Sequence, residues 1–405
     1  MRKKKKKLLF LIRAFNDLDH FAPVIFGALR SNYRAHIVFT SDWPGEHYLR
    51  TFLVGQGAEV TTLKWLGRFH WRIRPRIGGF FVLRILDTLF GVIPALVWIL
   101  KMGFISVIVE WGGISGRDVA RYLLVAGRIL RLPIFSLPHG YHIWRNKVIN
   151  DLMIRLGEEH PAFDFSERNR FSRVIAQSEN VQQFFLDRKV QREKLMVLGS
   201  PRFSEDWGLR NLNLALEDHR TIGAPLDKPL ILIFLGTWDY RMNKSACFEL
   251  IKALATVPDT NVLIKGHSRG SRAGGLTAGE RDDWLSDSIF YAEDSTPSTV
   301  LIHHAHVVIN YGSSIGIEAV LQHKPYCNAS FLTENSTIFD KSGVAFDANS
   351  VEDVIEFVEQ TLKCSKTATM TNETRAEFLK EHVYAGQVES EVLDGYLELF
   401  SGRVC

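Results

Sequence analysis

A glycine- and serine-rich turn between an apolar run and a helical pattern is the most informative segment of this chain. Residues 306–325 read HVVINYGSSIGIEAVLQHKP, in which His306–Asn310 is typical of a buried parallel strand. A strand that leads through Ser313 and Ser314 into a helix places free backbone N–H groups and two hydroxyls at a helix N-terminus. Such a site suits the phosphates of a nucleotide, and Glu318 is placed to reach a ribose hydroxyl. The alternative is that Ser314 only caps the helix.

A second segment with phosphate-binding chemistry follows the predicted strand Asn261–Ile264. Lys265, His267 and Arg269 come directly after that strand. Their cations can neutralise a phosphate, and the same contacts would stabilise the charge on a departing nucleotide. The alternative for Lys265 and Arg269 is a solvated basic loop.

Two further residues belong to the predicted donor-binding set. Arg202 ends the turn Gly199-Ser200-Pro201-Arg202, where it can reach a diphosphate or pair with a carboxylate. Trp238 follows the predicted strand Leu230–Leu235, where it can stack on a base or fill the core.

The first half of the chain carries candidates for a general base. The predicted strands Leu8–Ile12 and Leu132–Leu137 are both followed by polar side chains, among them Asp17, Asp19 and His139. Inverting transfer requires a base that removes the proton of an acceptor hydroxyl. We favour Asp17, because Asp19 is also placed to cap the helix that follows. His139 can serve as a base, bind the donor, or be a turn histidine satisfied by the backbone.

The candidate residues are positioned by strands that alternate with helices along the chain. Such alternation is typical of parallel sheets covered by helices. We predict an α/β protein of two domains facing across a cleft, with boundaries at 1–172 and 173–385, and a C-terminal helix at 386–405 that braces the N-terminal domain. A helix is expected from about Asp19 to Arg30, and Trp207–Pro229 is expected to be a surface excursion. The predicted strands are Leu8–Ile12, Ala35–Thr40, Glu59–Leu63, Phe104–Glu110, Leu132–Leu137, Val174–Ala176, Leu195–Leu198, Leu230–Leu235, Asn261–Ile264, Ile289–Tyr291 and Val307–Asn310.

Length and composition agree with two folded domains. The chain has 405 residues, of which 46% are hydrophobic and 23% are charged. Its four cysteines lack the spacing of a metal site, so we expect reduced thiols, a cytosolic protein, and neither metal nor cofactor.

The charge distribution favours an anionic membrane surface as partner. Residues 1–84 contain 16 Lys and Arg against 5 Asp and Glu, a net charge of +11 in a chain whose total is +4. The segment 64–74, KWLGRFHWRIR, mixes Trp and Arg as interfacial segments do. The uncharged run Thr88–Leu100 is too short to cross roughly 30 Å of hydrocarbon, and Lys3–Ile12 lacks the features of a signal peptide. We therefore expect peripheral binding, with a buried core helix and a solvated basic face as the alternative, and no nucleic-acid partner.

Together these motifs resemble the GT-B glycosyltransferases of bacterial surface polysaccharide synthesis. The resemblance rests on Pro138-His139-Gly140, the Gly199–Arg202 turn, the Lys265/His267 loop, and the Ser313-Ser314 turn before a helix that ends in Lys324-Pro325. The CDP-glycerol glycerophosphotransferases and the capsule transferases that use CMP-activated acidic sugars are the most similar families. The resemblance implies two Rossmann-like domains, a donor site in the C-terminal one, an acceptor site in the N-terminal one, and no required metal.

The leading hypothesis is a glycosyltransferase at the inner face of the cell membrane. It would transfer a sugar from a nucleotide-activated donor to a growing capsule or lipopolysaccharide acceptor. The alternatives are a glycerophosphotransferase that uses CDP-glycerol, a sugar-nucleotide 2-epimerase, and a non-catalytic partner in a polysaccharide assembly.

Overall fold

The chain forms two α/β units in a computed structural model. The structure describes residues 5–40, 47–63, 85, 88–111, 119–145, 154–155, 164–218, 222–266, 287–363 and 370–401. The first unit comprises Met1–Tyr141, Asp164–Arg202 and Val383–Cys405, and the second comprises His142–Phe163 and Phe203–His382.

The first unit is built on a parallel sheet of seven strands in the order β3-β2-β1-β4-β5-β6-β7. Its strands are apolar runs with few polar interruptions, because helices cover both faces of a parallel sheet. The strands are β1 (Lys6–Ile12), β2 (Tyr33–Phe39), β3 (Glu59–Thr62), β4 (Phe104–Glu110), β5 (Ile134–Leu137), β6 (Arg173–Ala176) and β7 (Leu195–Val197). The helices of this part of the chain are α1 (Phe15–Arg30), α2 (Tyr48–Gly55), α3 (Ile93–Met102), α4 (Val119–Ile129) and α5 (Glu179–Leu186).

The second unit has a parallel sheet of six strands in the order β10-β9-β8-β11-β12-β13. The strands are β8 (Leu230–Phe234), β9 (Asn261–Lys265), β10 (Ile289–Tyr291), β11 (Val307–Asn310), β12 (Tyr326–Ala329) and β13 (Phe346–Ala348). The remaining helices are α6 (Glu205–Glu217), α7 (Lys244–Leu254), α8 (Ser298–His304), α9 (Gly316–Leu321), α10 (Val351–Lys363), α11 (Asn372–Phe378) and α12 (Glu389–Ser401). The prediction of two parallel α/β domains is therefore confirmed.

The C-terminal helix α12 lies in the first unit, where it packs on α1. A Cβ at Gly27 in α1 would lie 2.9 Å from Leu393, so the two helices approach closely. The hydroxyl of Tyr396 donates a 3.0 Å hydrogen bond to the Gly199 carbonyl, and the Phe400 ring meets Phe10 edge to face. The end of the chain thus holds both the first sheet and the turn that carries Arg202.

Three local predictions were wrong. The strands β6 and β7 join the first sheet through β5, with Phe135 opposite Arg173. The predicted domain boundary at residue 172 is therefore wrong, because it would divide this sheet. Trp207–Pro229 was expected to be a surface excursion, yet helix α6 occupies its first half and buries Trp207, Leu212 and Ala215. Helix α1 begins at Phe15, four residues before the predicted start at Asp19.

Two properties of the described residues bear on the remaining expectations. Cys247 and Cys327 are buried free thiols, whereas Cys364 and Cys405 lie outside the described residues. In the same part of the chain, no helix combines the length and the apolar character that crossing a bilayer requires.

Candidate functional site

The carboxyl ends of β1 and β4 meet at the switch point of the first sheet. From β1 the chain proceeds to β2 on one side, and β4 lies on the other side, parallel to β1. Ligands of open α/β sheets bind in the crevice outside such a point. The segment Arg13–Asp17, which includes the first turn of α1, follows β1, and Glu110 ends β4, so both border this crevice.

Asp17 is a buried carboxylate whose two oxygens differ in their hydrogen bonds. Its Oδ2 accepts hydrogen bonds from the backbone N–H groups of Arg13, at 2.7 Å, and Ala14, at 3.1 Å. Its Oδ1 is buried and has no hydrogen-bond partner among the described residues. Burial, and then the negative charge of Glu110, raise the pKa of Asp17, and these effects exceed the opposing backbone hydrogen bonds and His139. The side chain therefore holds a proton more tightly than an ordinary aspartate does.

Glu110 joins the turn after β1 to the turn after β5. One of its oxygens lies 3.0 Å from Nδ1 of His139, and the other lies 3.2 Å from Nη2 of Arg13. If the proton of the neutral ring lies on Nδ1, beside this carboxylate, Nε2 of His139 is the nitrogen that can accept another proton. The Trp111 ring meets the imidazole edge to face at 5.8 Å. We call Asp17, Glu110 and His139 the carboxylate cluster.

Asp19 does not cap helix α1, which was one of its predicted roles. It lies inside α1, whose N-cap is Ala14, and the backbone N–H groups at the helix start are bound by Asp17. Asp19 instead forms an ion pair with Arg202, with 2.7 Å between Oδ2 and Nε. Arg202, which the sequence placed among the donor-binding residues, therefore lies in the first unit and pairs with a carboxylate.

His20 lies beside this ion pair. Burial lowers the pKa of its imidazole to about 3, and the nearby cation of Arg202 acts in the same direction. The ring is therefore neutral at physiological pH.

In the second unit, the turns after β8 and β11 meet at the switch point of that sheet. A Cβ at Gly236 would lie 3.1 Å from the Tyr311 carbonyl oxygen, so the two turns approach at backbone distance. Gly312 has a φ of +61°, and a Cβ there would collide with the side chains of Met242 and Trp144. The left-handed backbone therefore favours glycine at position 312, and the close approach of Tyr311 favours a small residue at position 236.

The Ser313-Ser314 turn is fixed by Asn310, the last residue of β11. Asn310 donates from Nδ2 to the Ser313 carbonyl at 2.8 Å and to the Tyr326 hydroxyl at 3.2 Å. Ser313 Oγ accepts a 3.4 Å hydrogen bond from the Ile315 N–H. Because the N-cap of α9 is Ile315, the alternative in which Ser314 caps the helix is wrong.

The other predicted donor-binding residues occupy separate environments. Lys265 is buried and donates to the Glu293 carbonyl at 2.5 Å, so the solvated-loop alternative is wrong for it. His267 and Arg269 lie outside the described residues. Glu318 is buried in α9. The Trp238 ring is half-buried and meets Phe248 edge to face at 6.4 Å.

Among the three base candidates, the structure brings Asp17 and His139 together and pairs Asp19 with Arg202. Glu110, which contacts both His139 and Arg13, was not predicted as a site residue, because it is the last residue of a predicted strand. A signal was available, since a carboxylate at the end of a mostly apolar strand lies at the sheet edge where ligands bind.

The two parallel α/β units, each with its switch point, have the GT-B fold, in which both units are Rossmann-like. No family model matches the chain, and no curated protein matches it in sequence. Solved structures match over nearly the whole length. A glycosyltransferase from Rickettsia africae has a TM-score of 0.58 at 15% identity, covering 98% of both chains.

Two other similar structures contain bound nucleotides. The UDP-GlcNAc 2-epimerase from Neisseria meningitidis, bound to UDP-GlcNAc, has a TM-score of 0.57 at 13% identity, covering 98% of this chain and 99% of that one. HepE from Anabaena, in complex with UDP and glucose, has a TM-score of 0.57 at 15% identity, covering 98% of this chain and 100% of that one. At such low identity these likenesses establish the fold alone.

Proposed function

We propose that this protein is a glycosyltransferase that moves a sugar from a nucleotide-activated donor to an acceptor hydroxyl. The carboxylate cluster is the observation that carries the proposal. In this cluster, Asp17 is buried and has a raised pKa, and His139 lies beside the Glu110 carboxylate. Both lie at the carboxyl ends of the strands, where a GT-B enzyme would hold an acceptor.

The proton transfer would take place at Asp17 Oδ1 or at His139 Nε2. In an inverting transfer the acceptor hydroxyl gives its proton to this base while its oxygen bonds to the anomeric carbon. The bond between that carbon and the phosphate oxygen breaks, and its electron pair leaves with the nucleotide. Asp17 is the better candidate, because its Oδ2 is already fixed by two backbone N–H groups and Oδ1 has no hydrogen-bond partner among the described residues.

The donor would bind in the second unit, at the turns after β8 and β11. Ser313 and Ser314 would supply hydroxyls to a phosphate, and Trp238 a ring on which a base could stack. The similar structures with bound UDP and UDP-GlcNAc support a nucleotide sugar as donor. A capsule or lipopolysaccharide acceptor remains our proposal from the sequence, as does CDP-glycerol as an alternative donor.

A sugar-nucleotide 2-epimerase is the second candidate. The similarity to UDP-GlcNAc 2-epimerases, over 98% of this chain, favours it. Proton transfer at a sugar carbon could also use a pair of acid and base groups such as Asp17 and His139. The two activities differ in products, since epimerisation yields an isomer that still carries its nucleotide and needs no acceptor.

Nucleotide binding and product analysis test these alternatives in turn. A thermal-shift screen of CMP, CDP, UDP and GDP, with ATP as control, identifies the donor class, since a ligand at 100 times its Kd stabilises by about 2.7 kcal/mol. The matching nucleotide sugars are then incubated with and without polysaccharide acceptors. Free nucleotide that forms only with acceptor supports transfer, and an isomerised nucleotide sugar without acceptor supports epimerisation. If no nucleotide stabilises the protein and no nucleotide sugar changes, both proposals are wrong.

A further inference from the structure

Helix α3 and the turn before it expose a continuous apolar stripe. Leu89, Ile93, Val97 and Leu100 are spaced four, four and three residues apart, and all are exposed. The opposite side of the helix, with Ala95 and Ile99, packs into the core. The exposed stripe is therefore a second apolar face on a helix whose first one is already buried.

Exposed cations lie at the same end of the first unit. All strands of a parallel sheet begin along the same side of the sheet, which we call its amino edge. Helix α3 leads through Gly103 into the start of β4 at this edge. Lys5 and Lys6 stand at the start of β1, Arg34 at the start of β2, and Lys101 at the end of α3, and all four are exposed.

The carboxylate of Glu59, a residue of the strand β3 that pairs with β2, is already paired with a cation. Glu59, at the start of β3, lies 2.7 Å from the Lys7 ammonium and 3.1 Å from Nδ1 of His36. The segment that precedes the helix in sequence, residues 64–84, adds six Lys and Arg and no Asp or Glu, together with Trp65 and Trp71. The described edge and the neighbouring sequence therefore both carry positive charge.

We propose that this surface, the apolar stripe with its basic edge, docks on an anionic lipid bilayer. Apolar side chains on one helix face, flanked by cations, are the features by which interfacial helices bind such membranes. A second copy of this chain fits less well, because the two like-charged edges would repel. The inference does not depend on the proposed sugar chemistry, because it uses only the outer face of α3 and the opposite edge of the sheet.

Vesicle flotation tests the proposal with the full chain. Vesicles of 70% phosphatidylcholine and 30% phosphatidylglycerol are compared with vesicles of pure phosphatidylcholine. We expect binding to the anionic vesicles at low salt. A rise to 200 mM salt should weaken binding about tenfold without abolishing it, because apolar contacts are not screened.

Paired substitutions locate the surface. Val97→Gln with Leu100→Gln should weaken vesicle binding at least about tenfold, because both side chains lose the burial that stabilises the bound state. Leu209→Gln with Leu226→Gln is the matched control, since Leu209 and Leu100 are both 63% exposed and the control pair lies in the second unit. The control should bind as the wild type does.

Three outcomes of flotation and of a measurement of oligomeric state would overturn the proposal. They are no flotation of the wild type with anionic vesicles, equal loss in both double variants, and a wild-type dimer that the Val97/Leu100 variant converts to a monomer. Hydrogen exchange on the wild type covers the case in which a variant fails to fold. Vesicles should protect the amides of residues 88–102, and unchanged exchange there would also reject the proposal.

Discussion

Replacement of Asp17 by Asn separates the chemistry of the carboxylate cluster from its effect on stability. The substitution keeps the size of the side chain, and its amide oxygen can still accept from the N–H groups of Arg13 and Ala14. It removes the ability to take a proton. We expect turnover to fall by roughly 10²- to 10⁴-fold, which corresponds to about 3–5 kcal/mol in the activation free energy.

The same change should leave the fold as stable as before, or make it more stable, at pH 7–8. The pKa of Asp17 is raised in the folded protein, so the folded state binds the proton more tightly than the unfolded state does. Stability therefore falls as pH rises from the unfolded value, near 4, through the folded value. Asn has no charge to bury, so the variant should lack this part of the pH dependence.

Asp19→Asn is the matched control, with the same chemical change two residues away. Its carboxylate pairs with Arg202 at 2.7 Å, so we expect a loss of about 1.5–3 kcal/mol in the free energy of unfolding. Urea unfolding at pH 5 and pH 8, together with nucleotide release from the donor, gives both readouts. Turnover of Asp17→Asn within threefold of wild type would transfer the role of base to His139. A fall in stability as large as that of Asp19→Asn would refute our account of its burial.

Three other substitutions test single contacts. Arg202→Ala should lower the free energy of unfolding by about 3–5 kcal/mol, measured in urea, because it leaves Asp19 largely buried without this cation. Gly312→Ala should cost about 1–2 kcal/mol for its left-handed backbone and a further 1–3 kcal/mol for the collision of the new Cβ, and calorimetry should show a lower Tm. Lys265→Met should cost about 1–3 kcal/mol, because the Glu293 carbonyl loses its charged donor and keeps only the Thr296 N–H, and a fully stable variant would contradict the observed contact.

The sequence predicted individual strands well and their assignment to sheets less well. The strand Phe104–Glu110 was predicted with its observed bounds, because an apolar run between a helix and a turn is a local signal. Whether Arg173–Ala176 pairs with β5 or begins a new sheet depends on contacts between distant residues, which the run itself does not contain. Helix α6 was missed because its charged face dominates its composition, although Trp207 and Ala215 are buried on the opposite face.

The rule that ligands bind at strand ends predicted much of the candidate site. It selected Asp17 and His139, which the structure places around one carboxylate. It could not predict that Asp17, rather than Asp19, binds the N–H groups at the start of α1, because this depends on where the helix begins. Nor could it decide between the two roles predicted for Arg202, because its pairing with Asp19 joins residues far apart in the chain.

The two ends of strand β1 should be functionally independent. Lys5 and Lys6 stand at its start and Asp17 follows its end, and a strand of seven residues spans roughly 20 Å. Changes at such a distance usually act additively, and charges more than a Debye length apart are screened. Lys5→Gln with Lys6→Gln should therefore weaken flotation with anionic vesicles, yet leave turnover of a soluble acceptor unchanged. Asp17→Asn should do the reverse. If the lysine variant lost turnover as well, the amino edge of the sheet would take part in the chemistry, and our separation of the two surfaces would be wrong.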